Sequence, residues 1–244
     1  SELSARLDCG LHRFAFAWRR GRAAREALDA VEERLASGYS WVLRADIEQF
    51  FDRISPALLL ASFENAVNEP ALVDVVRSVV TAGVLAGRAI EDPGVGTPQG
   101  SPLSPLLANL YLVPFDTAIE SAGFTMVRYG DDFCVNVATR QQAEAARDTA
   151  MTALARLRLS LNELKVEITH HGQGFVFLGF QFHPTGRRAG ARAARQLARR
   201  LDDILQERPK DGGEEIDAVL HGWLAYYGSL SGIDLPQPVR ERAE

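Results

Sequence analysis

Apolar residues recur at near-helical spacing over residues 22–36 (RAAREALDAVEERLA), and Gly38 offers a stop just beyond them. The next run, YSWVLRADI over 39–47, predicts a strand that ends on a carboxylate, Asp46. Ser55 and Pro56 then open a predicted helix to about residue 67, with serine as N-cap and proline at the first helical position. A second helix is predicted over 70–82. Residues 83–100 are dense in glycine and include Pro93 and Pro98, so they predict loop or hairpin. One apolar helix follows over 102–121. Short β-like runs at 124–129 and 133–138 flank Gly130, Asp131 and Asp132, which predicts a tight hairpin with both aspartates at its tip. Residues 141–157 predict a helix, 165–169 and 175–182 strands, and 190–207 and 214–230 two final helices. The order of elements is that of an α+β layout with an antiparallel sheet, followed by a small helical unit.

Composition narrows the class without naming a function. The chain has 244 residues, 46% hydrophobic and 24% charged, which suits one large globular domain or two small ones. Its two cysteines, Cys9 and Cys134, are too few for a disulfide framework or a cysteine zinc site, which fits a reducing, cytoplasmic setting. No apolar run approaches the roughly 20 residues needed to cross a bilayer, so no membrane partner is expected. The net charge of −5 argues against nucleic acid, but its distribution argues otherwise. Residues 12–25 carry Arg13, Arg19, Arg20, Arg22 and Arg25 with no acid; residues 187–200 carry Arg187, Arg188, Arg192, Arg195, Arg199 and Arg200 with no acid. Such islands are either solvated helix faces or phosphate-binding surfaces.

The chemistry centres on Asp46, Asp131 and Asp132. One ends a strand and two sit at a hairpin tip, so they converge if the strands are neighbours. Clustered carboxylates repel one another unless a cation neutralises them, and hard divalent ions prefer oxygen ligands. A paired Asp-Asp taken alone is most often a plain polar turn. The surrounding sequence changes that weighting.

The ordered set DIEQFF at 46–51, GTPQGSPLSPLLANLYL at 96–112, YGDDF at 129–133, LSLNELKVEI at 159–168 and FLGF at 177–180 resembles the reverse transcriptases of the bacterial group II intron-like lineage. The resemblance spans residues 12–230 and is most similar to the CRISPR-associated branch. It implies a right-hand polymerase palm, an antiparallel sheet backed by helices, with partial fingers over 1–38, palm and primer grip over 39–185 and a helical thumb over 186–244. The activity implied is RNA-directed DNA polymerisation with two divalent ions, Mg²⁺ or Mn²⁺. The partners implied are an RNA template, a DNA or RNA primer, dNTPs and, for the CRISPR branch, a spacer integrase, fused or separate.

Residue roles follow from the same resemblance. Asp46, Asp131 and Asp132, with the carbonyl of Ile47, are expected to hold the metals. Phe51 is expected beneath the sugar of the incoming nucleotide, where its bulk excludes a 2′-hydroxyl. Gln99, Gly100 and Ser101 are expected to line the nucleotide and template pocket, and Lys165 to serve the departing pyrophosphate. Phe177, Leu178, Gly179 and Phe180 resemble the primer grip. Phe16, Trp18, Arg19, Arg20, Gly21 and Arg22 resemble a block that borders the template, with Trp18 either stacking on a base or packing. Arg192, Arg195 and Arg199, at i, i+3 and i+7, share one helix face suited to a duplex backbone. The box reads Gly130 where intron enzymes more often carry Ala. The family's first fingers blocks have no counterpart before residue 12, which predicts an excised fragment. A catalytically silent nucleic-acid-binding domain and an intron maturase fragment remain open alternatives.

Overall fold

A computed structural model of the chain describes residues 8, 10–67, 69–81, 104–208 and 211–228. Two compact units emerge, one ending at His170 and one beginning at His171. The division falls earlier than the 185/186 boundary expected between palm and thumb.

The first unit is built on a four-stranded sheet. Its strands are β1 (Trp41–Asp46), β2 (Met126–Tyr129), β3 (Asp132–Val137) and β4 (Glu167–His170), in the order β2-β3-β1-β4 and antiparallel throughout. Ala15 adds a short parallel bridge to Arg128 at the β2 edge, where the N–H of Phe16 donates to the Arg128 carbonyl and the N–H of Arg128 to the Phe14 carbonyl. Alternation along β1 and β3 sends Leu43, Ala45, Phe133 and Val135 into one core cluster. That cluster is completed by α3 (Pro56–Ala66), α4 (Pro70–Thr81), α5 (Ser104–Tyr111), α6 (Val113–Ser121) and α7 (Arg140–Arg156), with the one-turn helix α2 (Phe50–Arg53) contributing Phe50. Helix α1 (Ala24–Ala36) packs on β2 and β3. Its start is tied by the Glu26 carboxylate, which accepts from the Ala23 N–H at 2.8 Å, and Gly38 closes its far end at φ +91°. Thr139 and Gln142 form a capping box at the start of α7.

Three elements differ from the sequence expectation, each for a local reason. The helix expected over 102–121 is two helices broken at Leu112. Pro114 has no N–H to give the carbonyl four residues back, and the chain tightens there, with the Leu112 N–H donating to Asn109. Ser55 precedes α3 as expected, yet its side chain caps nothing; its backbone N–H is taken by the Tyr111 hydroxyl, which donates in turn to the Leu157 carbonyl. The strand expected from 165 begins at Glu167, because a 3₁₀ turn occupies Glu163–Lys165.

The second unit opens with a three-stranded antiparallel sheet, β5 (Phe175–Phe177), β6 (Phe180–His183) and β7 (Gly186–Ala189). The single strand expected over 175–182 is therefore a hairpin. Its two-residue turn is Leu178 at φ +50° and Gly179 at φ +82°, both positive as a type I′ turn requires. Helices α8 (Ala191–Glu207) and α9 (Gly213–Trp223) follow, packed through Leu197 and Leu201 against Ile216, Val219, Leu220 and Trp223. Among the described residues no helix is long and apolar enough to cross a membrane.

Candidate active site

Strand register brings the first carboxylates together. Asp46 closes β1 and Asp132 opens β3, and the two are direct cross-strand partners. Partners of this kind project to the same face, with Cβ atoms about 4.5–5.5 Å apart. Asp131 occupies the turn between β2 and β3, where Tyr129 pairs with Asp132 across a two-residue loop. Gly130 supplies the positive φ, +70°, that the first position of this tight turn demands. The Ile47 N–H donates to the Asp131 carbonyl at 3.1 Å, tying the turn to the end of β1.

The chain beyond α7 completes the neighbourhood. Residues 160–162 run beside 46–48: the Ser160 carbonyl accepts from Glu48, and the Asn162 N–H donates to the Asp46 carbonyl at 2.8 Å. The Asn162 side chain then accepts from Leu164 and sets the 3₁₀ turn. That turn carries Lys165 back to the site, where its ammonium donates to Asp46 Oδ1 at 2.9 Å. Three sequence-separated motifs thus place Asp46, Asp131, Asp132 and Lys165 at one end of one sheet.

Electrostatics single out the acid pair. Burial pushes the Asp132 carboxyl up to about 7; the Arg44 guanidinium opposes the rise, while the charges of Asp46 and Asp131 add to it. Asp131 also rises, first through burial, against a backbone hydrogen bond that lowers it, with the charge of Asp46 pushing further up. Arg44 Nε lies 3.8 Å from Asp132 Oδ1, a charge contact too long for a hydrogen bond. Both atoms are buried without a hydrogen-bond partner.

A buried carboxylate oxygen lacking a partner, inside an all-oxygen donor set, fits a hard divalent cation. Among the described residues the acidic, imidazole and thiol side chains form no ready-made cage of three, and Asp46 is engaged by Lys165 instead. The residues present nonetheless fit such an ion: carboxylates of Asp46, Asp131 and Asp132 share one end of the sheet, and Ile47 follows directly on.

The other expected site residues separate into groups. Phe51 lies on α2, partly buried, with its ring 5.2 Å from that of Phe50 and 5.7 Å from that of Trp18. Gln99, Gly100 and Ser101 fall outside the described residues. In the second unit, Phe177 and Phe180 are fully buried, and Leu178 and Gly179 form the hairpin tip. The Gly179 carbonyl accepts from the Gly190 N–H at 2.8 Å, so two glycines pass closely there. Arg192, Arg195 and Arg199 are all exposed on α8, opposite Leu197, Leu201 and Ile204.

Two arginines expected at the template are turned inward. Arg19 donates from Nε to Asp8, from one terminal nitrogen to the His12 and Ala15 carbonyls, and from the other to the Asp8 carbonyl. Its side chain is 10% exposed, so it clamps the segment before α1 and has little left to offer a phosphate. Arg22 donates to the Arg13 and Ala15 carbonyls and stacks over Phe16 at 4.8 Å. The basic block folds a loop onto itself, because carbonyls that lack a ladder need donors. Arg20 alone of the three is exposed.

A network beneath the turn is absent from the expectation. Arg128, fully buried, forms a bidentate pair with fully buried Asp116 at 2.7 and 2.6 Å. It also donates to Asn109 Oδ1 and to the Gly130 carbonyl, each at 3.0 Å, and Asn109 donates onward to the Ala17 carbonyl at 2.7 Å. The signal was present: MVRY places an arginine in step with core-facing Met126, and VPFDTAIE places an aspartate among apolar helix positions. Opposite charges on two buried faces predict each other.

The chain is similar to known proteins over most of its length. The family described as "Reverse transcriptase (RNA-dependent DNA polymerase)" matches residues 3–182. Protein YkfC of Escherichia coli is 25% identical over 87% of the chain, which spans 65% of that protein. The group II intron-encoded protein LtrA of Lactococcus lactis is 30% identical over 39% of the chain and 16% of its own length. Telomerase from Candida albicans, solved with a fragment of telomeric RNA, shares the fold with a TM-score of 0.61 at 13% identity, over 94% of this chain and 46% of its own. The chain thus spans less than two thirds of each of these proteins.

Proposed function

The chain belongs to the reverse transcriptase (RNA-dependent DNA polymerase) family, and from that premise we propose that it extends a primer 3′-hydroxyl with dNTPs on an RNA template. The observation that supports this reading most is the cross-strand pairing of Asp46 with Asp132 beside the Asp131 turn. On this reading Asp46, Asp131, Asp132 and the Ile47 carbonyl hold two Mg²⁺ or Mn²⁺ ions. When bound, such ions neutralise charge on the attacking and leaving oxygens of a phosphoryl transfer.

The chain's own residues supply position and charge. The Gly130 turn and the Ile47 hydrogen bond fix Asp131 against β1, so the carboxylates need little reorganisation. Lys165, whose ammonium donates to Asp46 Oδ1, is the cation that serves the departing pyrophosphate on this reading. Phe51 excludes a ribose 2′-hydroxyl. Residues 1–38 act as partial fingers, 39–185 as palm with a primer grip around Gly179, and 186–244 as a thumb whose Arg192, Arg195 and Arg199 track a duplex backbone. Gln99, Gly100 and Ser101 line the nucleotide pocket, and Arg20 meets the template.

Two cellular settings suit this reaction, intron mobility and CRISPR spacer acquisition from RNA with an integrase partner. LtrA, named as a group II intron-encoded protein, favours the first. A silent nucleic-acid-binding domain is the competing reading, and the retention of all three carboxylates weighs against it. Primer extension on poly(rA)/oligo(dT) with dTTP decides between them. Incorporation supports the polymerase; a gel shift without incorporation supports the binder.

A further inference from the structure

Trp18 is held in a costly way. Its backbone is left-handed, φ +56°, a conformation that is strained for a bulky residue and persists only where its surroundings over-determine it. Its indole is 43% exposed, so burial alone does not explain the strain. The surroundings do impose it: the carbonyl of Ala17 is captured by Asn109, and Arg19 clamps the carbonyls of His12 and Ala15. What this holds in place is a ring with two neighbours. One is Gly130, where an added Cβ would stand 3.0 Å from Trp18 Cη2. The other is the Phe51 ring, which the indole meets edge to face, centroids 5.7 Å apart at 69°.

Phe51 needs such a neighbour. It sits in the first turn of a four-residue helix that follows Gln49, itself at φ +46°, and it is only partly buried. Phe50 is its other aromatic neighbour, with ring centroids 5.2 Å apart. Removing Trp18 takes away one of these two ring contacts.

We propose that Trp18 is a specificity-determining positioning residue that holds Phe51 where it meets the sugar of the incoming nucleotide. Discrimination between deoxy- and ribonucleotides then depends on Trp18 as well as on Phe51. The inference rests on the polymerase reading and adds a residue to it.

The test is the ratio of kcat/KM for dUTP over UTP, which differ only at the 2′ position, on poly(rA)/oligo(dT). Trp18→Ala lowers that ratio by about tenfold, the scale on which one apolar wall discriminates. Trp18→Phe, which keeps an aromatic edge, restores most of it. An unchanged ratio in Trp18→Ala, with both substrates slowed alike, overturns the assignment. A second readout avoids dependence on turnover. In a Trp41→Phe/Trp223→Phe background Trp18 is the sole tryptophan. Titrating dTTP onto this protein with a dideoxy-terminated primer on poly(rA) shifts its emission saturably, and a flat response overturns the proposal. Should the parent incorporate nothing while the emission shifts, the polymerase reading fails and Trp18's place at the nucleotide stands.

Discussion

The buried guanidinium of Arg128 donates to the carbonyl of Gly130, the residue before Asp131, at 3.0 Å. The same guanidinium is neutralised by Asp116, equally buried, so the acidic turn rests on an ion pair inside the core. Breaking such a pair from one side leaves an uncompensated buried charge, at a cost of about 3–5 kcal/mol. Arg128→Met is therefore expected to destabilise the chain on that scale in urea unfolding. Arg128→Met/Asp116→Leu recovers at least half of the loss, since the second substitution removes the stranded charge. If the double variant is as unstable as the sum of the singles, the ion pair is not the reason for the loss.

Gly130 faces two constraints at once, a φ of +70° and the indole of Trp18. Gly130→Ala lowers stability by about 1 kcal/mol from the backbone alone. Adding Trp18→Ala relieves the crowding but not the backbone, so the double variant regains only part. Complete recovery would place the whole cost in the ring contact.

Lys165 and a divalent cation compete for Asp46, because the ammonium already donates to Oδ1. Lys165 is half exposed, and ion pairs of that kind contribute about 0.2–1 kcal/mol. Lys165→Met is expected to tighten Mn²⁺ binding by up to about fivefold, measured by calorimetry without nucleotide, while slowing incorporation. Weaker Mn²⁺ binding would show that the lysine supports the ion rather than displacing it.

The raised carboxyl of Asp132 sets a pH window. Its folded value, about 7, lies above the ordinary 3.8, so the folded chain binds the proton more tightly than the unfolded one. Asp132 therefore favours the fold most below about pH 4, and that contribution is lost as pH rises through 7. In EDTA, the Tm of Asp132→Asn gains on that of the parent between pH 4 and 7 and then holds a constant gap. A gap that does not change with pH would remove Asp132 from the titration.

Much of this was legible beforehand. Asp46 at a strand end, the Asp pair at a hairpin tip and the antiparallel sheet followed from apolar periodicity and turn residues, which are local signals. Pro114, Leu178 and Gly179 show where local signals mislead: a proline breaks a helix that its apolar content would continue, and a two-residue turn hides inside an aromatic run. Arg19 and Arg22 show a different limit. An arginine with no acid in its own stretch of sequence looks available for phosphate, yet Arg19 is held by Asp8 and backbone carbonyls, and Arg22 donates to the carbonyls of Arg13 and Ala15. The Arg128–Asp116 pair left a signal in each segment, one charge among apolar positions, but only the tertiary structure shows that the two faces meet.

Single-turnover incorporation of dTTP by the parent and by Asp131→Ala, with Mg²⁺ on poly(rA)/oligo(dT), tests the central claim most directly. The parent is expected to extend the primer and Asp131→Ala to incorporate nothing, while both unfold at similar urea concentrations. Equal extension by the two proteins, or none by the parent, would contradict a polymerase built on Asp46, Asp131 and Asp132.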